Sequence, residues 1–114
     1  HKDTVSLLAS LGADVNQAMN DGATPMYIAA QEGHKDIVSL LASLGADVNQ
    51  AAKIGATPLF VAAYHGHKDT VSLLASLGAD VNQATNKGTT PLRIANLQGH
   101  EDVVAVLKSL GAHE

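Results

Sequence analysis

The chain contains no cysteine and no tryptophan, and its only aromatic residues are Tyr27, Phe60 and Tyr64. Without cysteine there is no disulfide framework, and no thiolate to bind a metal or attack a substrate. Such a chain suits a reducing, cytoplasmic compartment, and it equally suits a protein engineered to lack thiols. Aromatic content is 3% against 46% hydrophobic, so the core has to be built of Leu, Val, Ile and Ala, which suits thin, closely packed helices. No apolar run approaches the roughly 18 residues of a membrane span. The net charge of −4, with Lys and Arg scattered, argues against nucleic acid, whose phosphates call for clustered cations. No signal peptide is visible. His1 is not a natural start, so the chain reads as an excerpt with further residues upstream.

The dominant feature is repetition. His34 to Ala51 reads HKDIVSLLASLGADVNQA, and His1–Ala18 and His67–Ala84 repeat it except for Thr4 and Thr70 in place of Ile37. The starts lie 33 residues apart, and a looser copy, HEDVVAVLKSLGA, begins at His100. Self-similarity at this period predicts a stack of units in place of one central core. At 114 residues, the chain is one such domain. It divides into a partial unit at 1–18, full units at 19–51 and 52–84, and a shortened unit at 85–114.

Local signals within a unit are helical. Thr57-Pro58 is a helix start: the threonine caps exposed N–H groups and proline suits the first helical position. The helix that follows runs through LFVAAYH and stops at Gly66, a residue suited to the left-handed C′ position. A second helix is expected over about Lys68 to Leu77, with Val71, Leu74 and Leu77 in its apolar stripe and Leu73 widening it. The stretch from Gly78 through GADVNQATNKGT has no helical period and reads as a loop with a turn at its tip. Helices of two to three turns are unstable alone in water, so each has to be buried against its partner and the next unit.

These motifs resemble ankyrin repeats along the whole chain. A T-P-L-H-x-A pattern appears as TPMYIA at Thr24–Ala29, TPLFVA at Thr57–Ala62 and TPLRIA at Thr90–Ala95. Gly33-His34, Gly66-His67 and Gly99-His100 precede the second helices, and GADVN recurs at Gly45–Asn49 and Gly78–Asn82. The resemblance implies an all-α solenoid of stacked antiparallel helix pairs with protruding β-turn loops. It implies a module for protein–protein interaction with no catalytic residues and no cofactor. It also implies that Asn16, Asn49 and Asn82, in the DVN position, match sites that an oxygenase can hydroxylate; the plainer reading is a loop asparagine closing a turn. One departure stands out. The motif's histidine, which in the family ties a helix start to the neighbouring loop, is replaced by Tyr27, Phe60 and Arg93. Either the rings pack in its place or repeat stability is lower.

The ends differ. Asn96 stands where Ala30 and Ala63 stood, Lys108 replaces Ala42 and Ala75, and Arg93 replaces an aromatic, which reads as a polar capping face. The N-terminal unit opens on a second helix with no first helix, leaving Val5, Leu8 and Leu11 partly exposed. Upstream residues would cover them, or this end stacks on another molecule; otherwise the chain is expected to be a monomer.

Candidate chemistry is sparse. His1, His34, His67 and His100 form a ladder, but stacked helices sit about 8–10 Å apart, while zinc needs nitrogen at about 2.0–2.1 Å. Each histidine is therefore read as satisfying local backbone groups at a helix start, and His65 with His67, straddling a helix end, gives no metal site either. Ser6, Ser39 and Ser72 have no His or Asp at triad spacing. Asp14, Asp47 and Asp80, one per unit, look like loop caps and not paired carboxylates for acid–base work.

The residues that break the copying point to function. They collect at the turn tips and just after them (Asn20, Asp21, Ala23; Lys53, Ile54, Ala56; Asn86, Lys87, Thr89) and at the ends of the first helices (Gln31, Glu32; Tyr64, His65; Leu97, Gln98). In the family, tips and first helices line one concave side that usually binds proteins. The outer face of the second helix, with Lys35, Asp36, Ser39 and Ser43, did not drift. These fifteen positions are the candidate partner-binding residues, centred on Tyr64, Ile54 and His65, with acid in the first unit and base in the third to orient a partner. The alternative is a consensus-like or engineered scaffold, or a spacer in a longer array, with no partner of its own.

Overall fold

In a computed structural model, residues 24–52 and 55–113 are described. Six helices run through them: α1 (Pro25–Gln31), α2 (Lys35–Ser43), α3 (Pro58–Tyr64), α4 (Lys68–Ser76), α5 (Pro91–Leu97) and α6 (Glu101–Ser109). No strand occurs among the described residues. Each unit is a helix pair, α1–α2, α3–α4 and α5–α6. First helices stack on first helices, and second on second, so the pairs form a solenoid.

The same local chemistry repeats in every unit. Thr24, Thr57 and Thr90 hold extended backbone and cap the helix that follows. Their hydroxyl oxygens accept from the backbone N–H of Tyr27 (3.2 Å), Phe60 (3.1 Å) and Arg93 (3.1 Å), and a proline follows each threonine. The helices end in Schellman turns. Gly33 N–H donates to Ala30 O and His34 N–H to Ala29 O, a pattern that recurs at Gly66-His67 and Gly99-His100. The second helices start without a side-chain cap, but acids in the first turn (Asp36, Asp69, and Glu101 with Asp102) complement the helix dipole. Between units, Ala52 N–H donates to Ala56 O and Gly55 N–H to Ala52 O. Thr85 to Thr89 repeats that tight tip.

The core is a continuous ribbon through the stack. Val38, Leu41, Val71, Leu74, Val103 and Leu107 on the second helices are fully buried, as are Met26 and Leu59 on the first. Burying one such side chain stabilises by about 1.5–3 kcal/mol, which is how helices of 7 or 9 residues persist. Ala29, Ala30, Ala62 and Ala63 are also fully buried, and their small side chains let the first helices approach closely. The second helix ends at Ser76, one residue earlier than expected, with Leu77 as its C-cap; Leu77 is 36% exposed and lies outside the core. Thr70, at the register of Ile37 and Val103, takes a buried place instead. In the third helix pair Arg93, Asn96 and Lys108 are all exposed. Val5, Leu8 and Leu11 lie outside the described residues.

Two polar links join successive units. His67 Nε2–H donates to Gln31 O (3.0 Å), and His100 Nε2–H to Tyr64 O (2.9 Å), each reaching 36 residues back. These histidines serve the neighbouring unit's backbone and not their own, contrary to the local role expected of them. Each ring lies against a glycine: a Cβ on Gly33 would come within 2.8 Å of His67 Nδ1, and one on Gly66 within 2.8 Å of His100 Nδ1. The second link runs through the DVN asparagine. Asp80 N–H donates to Asn49 Oδ1 (2.8 Å) and His113 N–H to Asn82 Oδ1 (2.9 Å). Asp47 and Asp80 accept from Asn49 N–H (2.8 Å) and Asn82 N–H (2.9 Å), as loop caps should. So Asn49 and Asn82 tie one unit to the next and do more than close their own turn.

Gly33 (φ +72) and Gly99 (φ +73) share one left-handed conformation, but nothing lies near Gly99. Gly99→Ala is therefore expected to lose about 1 kcal/mol, the left-handed penalty alone. Gly33→Ala should lose clearly more, because its Cβ displaces His67. In chemical denaturation, His67→Ala should make the two glycine substitutions equal; equal losses in the unmodified chain would refute the contact.

Candidate functional site

A constant 33-residue spacing puts equivalent residues in rows across the first helices. One row is Tyr27, Phe60 and Arg93; the next is Gln31, Tyr64 and Leu97; the third is Glu32, His65 and Gln98. The tips add Ala56 and Thr89 in a fourth row. Between α1 and α3 these rows enclose an open pocket of about 210 Å³, lined by Tyr27, Gln31, Ala56, Phe60, Val61, Tyr64 and His65. The lining is mainly aromatic and aliphatic, with Gln31 and His65 as its polar members beside the two tyrosines.

Four of the expected site residues thus meet in one place: Gln31, Ala56, Tyr64 and His65. Tyr27, Phe60 and Val61 complete it and were not expected there. A signal for two of them existed, since Tyr27 and Phe60 are the aromatic replacements in the TPLH position. Phe60 is buried and Tyr27 half-buried, so both rings pack in the histidine's place, while Arg93 stays exposed. Tyr64 is 41% exposed at the rim, and Leu97 is 63% exposed one unit further on. Gln98 is exposed beside Leu97. Glu32 is exposed and accepts from His34 Nε2–H at 3.0 Å. Asn86 and Lys87 are exposed at the third tip, where Asn86 approaches Gly55, and Thr89 is half-buried with its N–H donated to Thr85 Oγ1 (3.3 Å). Asn20, Asp21, Ala23, Lys53 and Ile54 lie outside the described residues, as does Asn16.

Electrostatics sharpen the rim. The Tyr64 and His65 rings meet edge to face at 5.0 Å, and His65 stacks on His67 at 6.1 Å. Burial holds the His65 imidazole below the ordinary histidine value, and the charges of His67 and His100 push it the same way. No group of three or more His, Cys, Asp or Glu among the described residues converges as a metal site would require. The ion pair between Lys35 and Asp69 (3.8 Å) is exposed and contributes little. No helix among the described residues is long and apolar enough to cross a membrane.

A solenoid of short helix pairs, with an open apolar pocket between α1 and α3, defines a helical repeat protein. The family model described as ankyrin repeats (3 copies) matches residues 1–52 and 50–113, and the chain belongs to the ankyrin-repeat family. Comparison with curated proteins finds no match. Ankyrin repeats are generally protein–protein interaction modules and typically not enzymes.

A histidine with a lowered pKa binds fewer protons folded than unfolded at acid pH, so it removes stability as pH falls from about 6.5 toward its lowered value. The loss is complete below that value and absent above 6.5. Melting midpoints across this range should therefore drop less steeply in His65→Gln than in the unmodified chain. Parallel slopes would show that His65 carries no such linkage.

Proposed function

We propose that the chain binds a protein partner through the concave face formed by its turn tips and first helices. The observation that carries this is the contrast between two exposed surfaces. The outer positions of α2 (Lys35, Asp36, Ser39, Ser43) and of α4 (Lys68, Asp69, Ser72, Ser76) are all exposed yet identical, and α6 keeps two of the four (Asp102, Ser109) while changing two (Glu101, Ala105). The exposed ends of the first helices differ in every unit: Gln31-Glu32, Tyr64-His65 and Leu97-Gln98. Free drift of solvated positions would have altered both surfaces. Retention of most of one surface and change throughout the other fits a scaffold kept nearly constant while a contact surface was specialised.

On this reading Tyr64, His65 and Leu97 supply the anchors, and Gln31, Ala56, Asn86, Lys87 and Thr89 the surround. Aromatic residues in concave settings are common anchors at interfaces. Asn20, Asp21, Ala23, Lys53 and Ile54 belong to the same set by register. The chain works as a monomer in the cytoplasm, the family's usual setting, with neither nucleic acid nor membrane as partner. The near-identity of the 18-residue blocks favours a second reading, a consensus-like scaffold or spacer without a partner.

A two-hybrid screen with the parent chain separates these readings. Partners it returns should lose at least about ten-fold in affinity on combined Tyr64→Ala and Leu97→Ala, the scale of an interface anchor. Because both side chains are exposed, the unfolding free energy should stay within roughly 0.5 kcal/mol. Ser39→Arg with Ser72→Arg, on the outer face, should leave binding intact. The opposite pattern sinks the concave-face assignment, and an empty screen favours the scaffold.

A further inference from the structure

The concave face is not chemically uniform, and its asymmetry says something about what lies on it. The pocket between α1 and α3 has a volume of about 210 Å³. An apolar cavity of about 150 Å³ holds benzene, so this one has room for a single large side chain and little more. Its walls are the rings of Tyr27, Phe60 and Tyr64 with Val61 and Ala56, and Gln31 and His65 complete the lining. Burial and the neighbouring His67 and His100 favour the neutral form of His65, which keeps this mouth uncharged near neutral pH.

The charge on either side differs in sign. On the first unit's side stands Glu32, in the same row as His65, its carboxylate engaged with His34. On the third unit's side, the row of Tyr27 and Phe60 continues as Arg93, exposed, with Lys87 on the adjoining tip. Packed helices lie about 8–10 Å apart, and an extended chain advances about 3.3 Å per residue. One unit of the solenoid therefore corresponds to about three residues of an extended segment laid across it. The exposed Leu97 beyond Tyr64 continues the apolar floor along the same line.

We propose that the pocket seats one aromatic or branched aliphatic side chain of an extended partner segment, and that a carboxylate about three residues along that segment pairs with Arg93. The inference rests on the concave face being the binding surface. The pocket supplies affinity by burying the anchor. The Arg93 pair fixes the direction in which the segment lies, because a segment placed the other way would carry its carboxylate toward Glu32.

The test is a phage-displayed library of random peptides of roughly twelve residues, enough to cross three units at about 3.3 Å per residue, selected on the folded chain. Enriched sequences are expected to share an aromatic or branched aliphatic residue with Asp or Glu two to four positions away. For a synthetic peptide of that kind, fluorescence anisotropy should show Arg93→Glu weakening binding about five-fold, as an exposed pair turned repulsive would. Changing the peptide's acid to Lys should restore it. Arg93 is exposed, and unchanged melting of Arg93→Glu would exclude a folding effect.

Binding that falls with Tyr64→Ala but ignores Arg93→Glu, or is not rescued by the swap, overturns the inference and leaves the concave face standing. Binding that survives Tyr64→Ala yet is blocked by Ser39→Arg overturns the concave face itself. Selection that enriches nothing over bare support overturns the peptide inference alone, since the two-hybrid variants still decide whether a folded partner uses this face.

Discussion

The contact on which the array depends is small: the His67 ring lies on Gly33 and donates to Gln31 O at 3.0 Å, and His100 repeats this on Gly66 and Tyr64 O at 2.9 Å. Helices of 7 and 9 residues do not persist alone. They persist because each unit is seated on the one before it, and this histidine sets the seat. It satisfies a carbonyl at the end of a neighbouring first helix, where orphan carbonyls would otherwise face water. The close approach of the ring leaves no room for a side chain on the glycine. The asparagine links from Asn49 to Asp80 N–H and from Asn82 to His113 N–H do the same on the loop side, so each of the two described junctions is held at two points as well as through the core.

This seating explains why one half of each unit is constant. A residue that touches the preceding unit, the following unit and its own partner helix has three sets of neighbours to satisfy. Val71 and Leu74, fully buried between second helices, and Ala62 and Ala63, fully buried between first helices, are of this kind. The ends of the first helices have fewer obligations. Tyr64 contributes its carbonyl to the stack, but its ring stands at the rim of the groove, and another side chain could stand there without disturbing the carbonyl. The side chains at these ends can therefore vary while the backbone that carries them is held by histidines from the next unit. The pocket between α1 and α3 is the product of this division: a rigid wall of stacked helices with a changeable lining.

Much of the fold was legible because its signals are local. Thr57-Pro58 announces a helix start within four residues, and Gly66 announces its stop by a turn closed over five. The turn tip at Thr85–Thr89 is equally short in range. The candidate site was legible only as a set of variable positions. That Gln31 and Tyr64 line one pocket, with Ala56 and His65, follows from their registers. The contribution of Phe60 and Tyr27 does not, because the same position carries an exposed arginine, Arg93, in the third helix pair, so register alone does not mark it as pocket lining. Leu77 shows the converse: it continues the helical stripe of Val71 and Leu74 by spacing, yet the chain has already turned out of the helix at Ser76, and the side chain stays outside the core.

By itself the sequence determined the period, the helix-pair unit, the alanine-rich close packing and the division into constant and variable halves. Each of these depends on residues within about five positions of one another, or on plain identity between copies. Tertiary structure alone decided which backbone the histidines serve, that the DVN asparagines bridge units, and that aromatic replacements at Tyr27 and Phe60 become the lining of a pocket. Those outcomes join residues 31 to 36 positions apart. At that separation neither hydrogen-bond geometry nor the volume of a cavity can be read from spacing, because both depend on how closely two helices settle against each other.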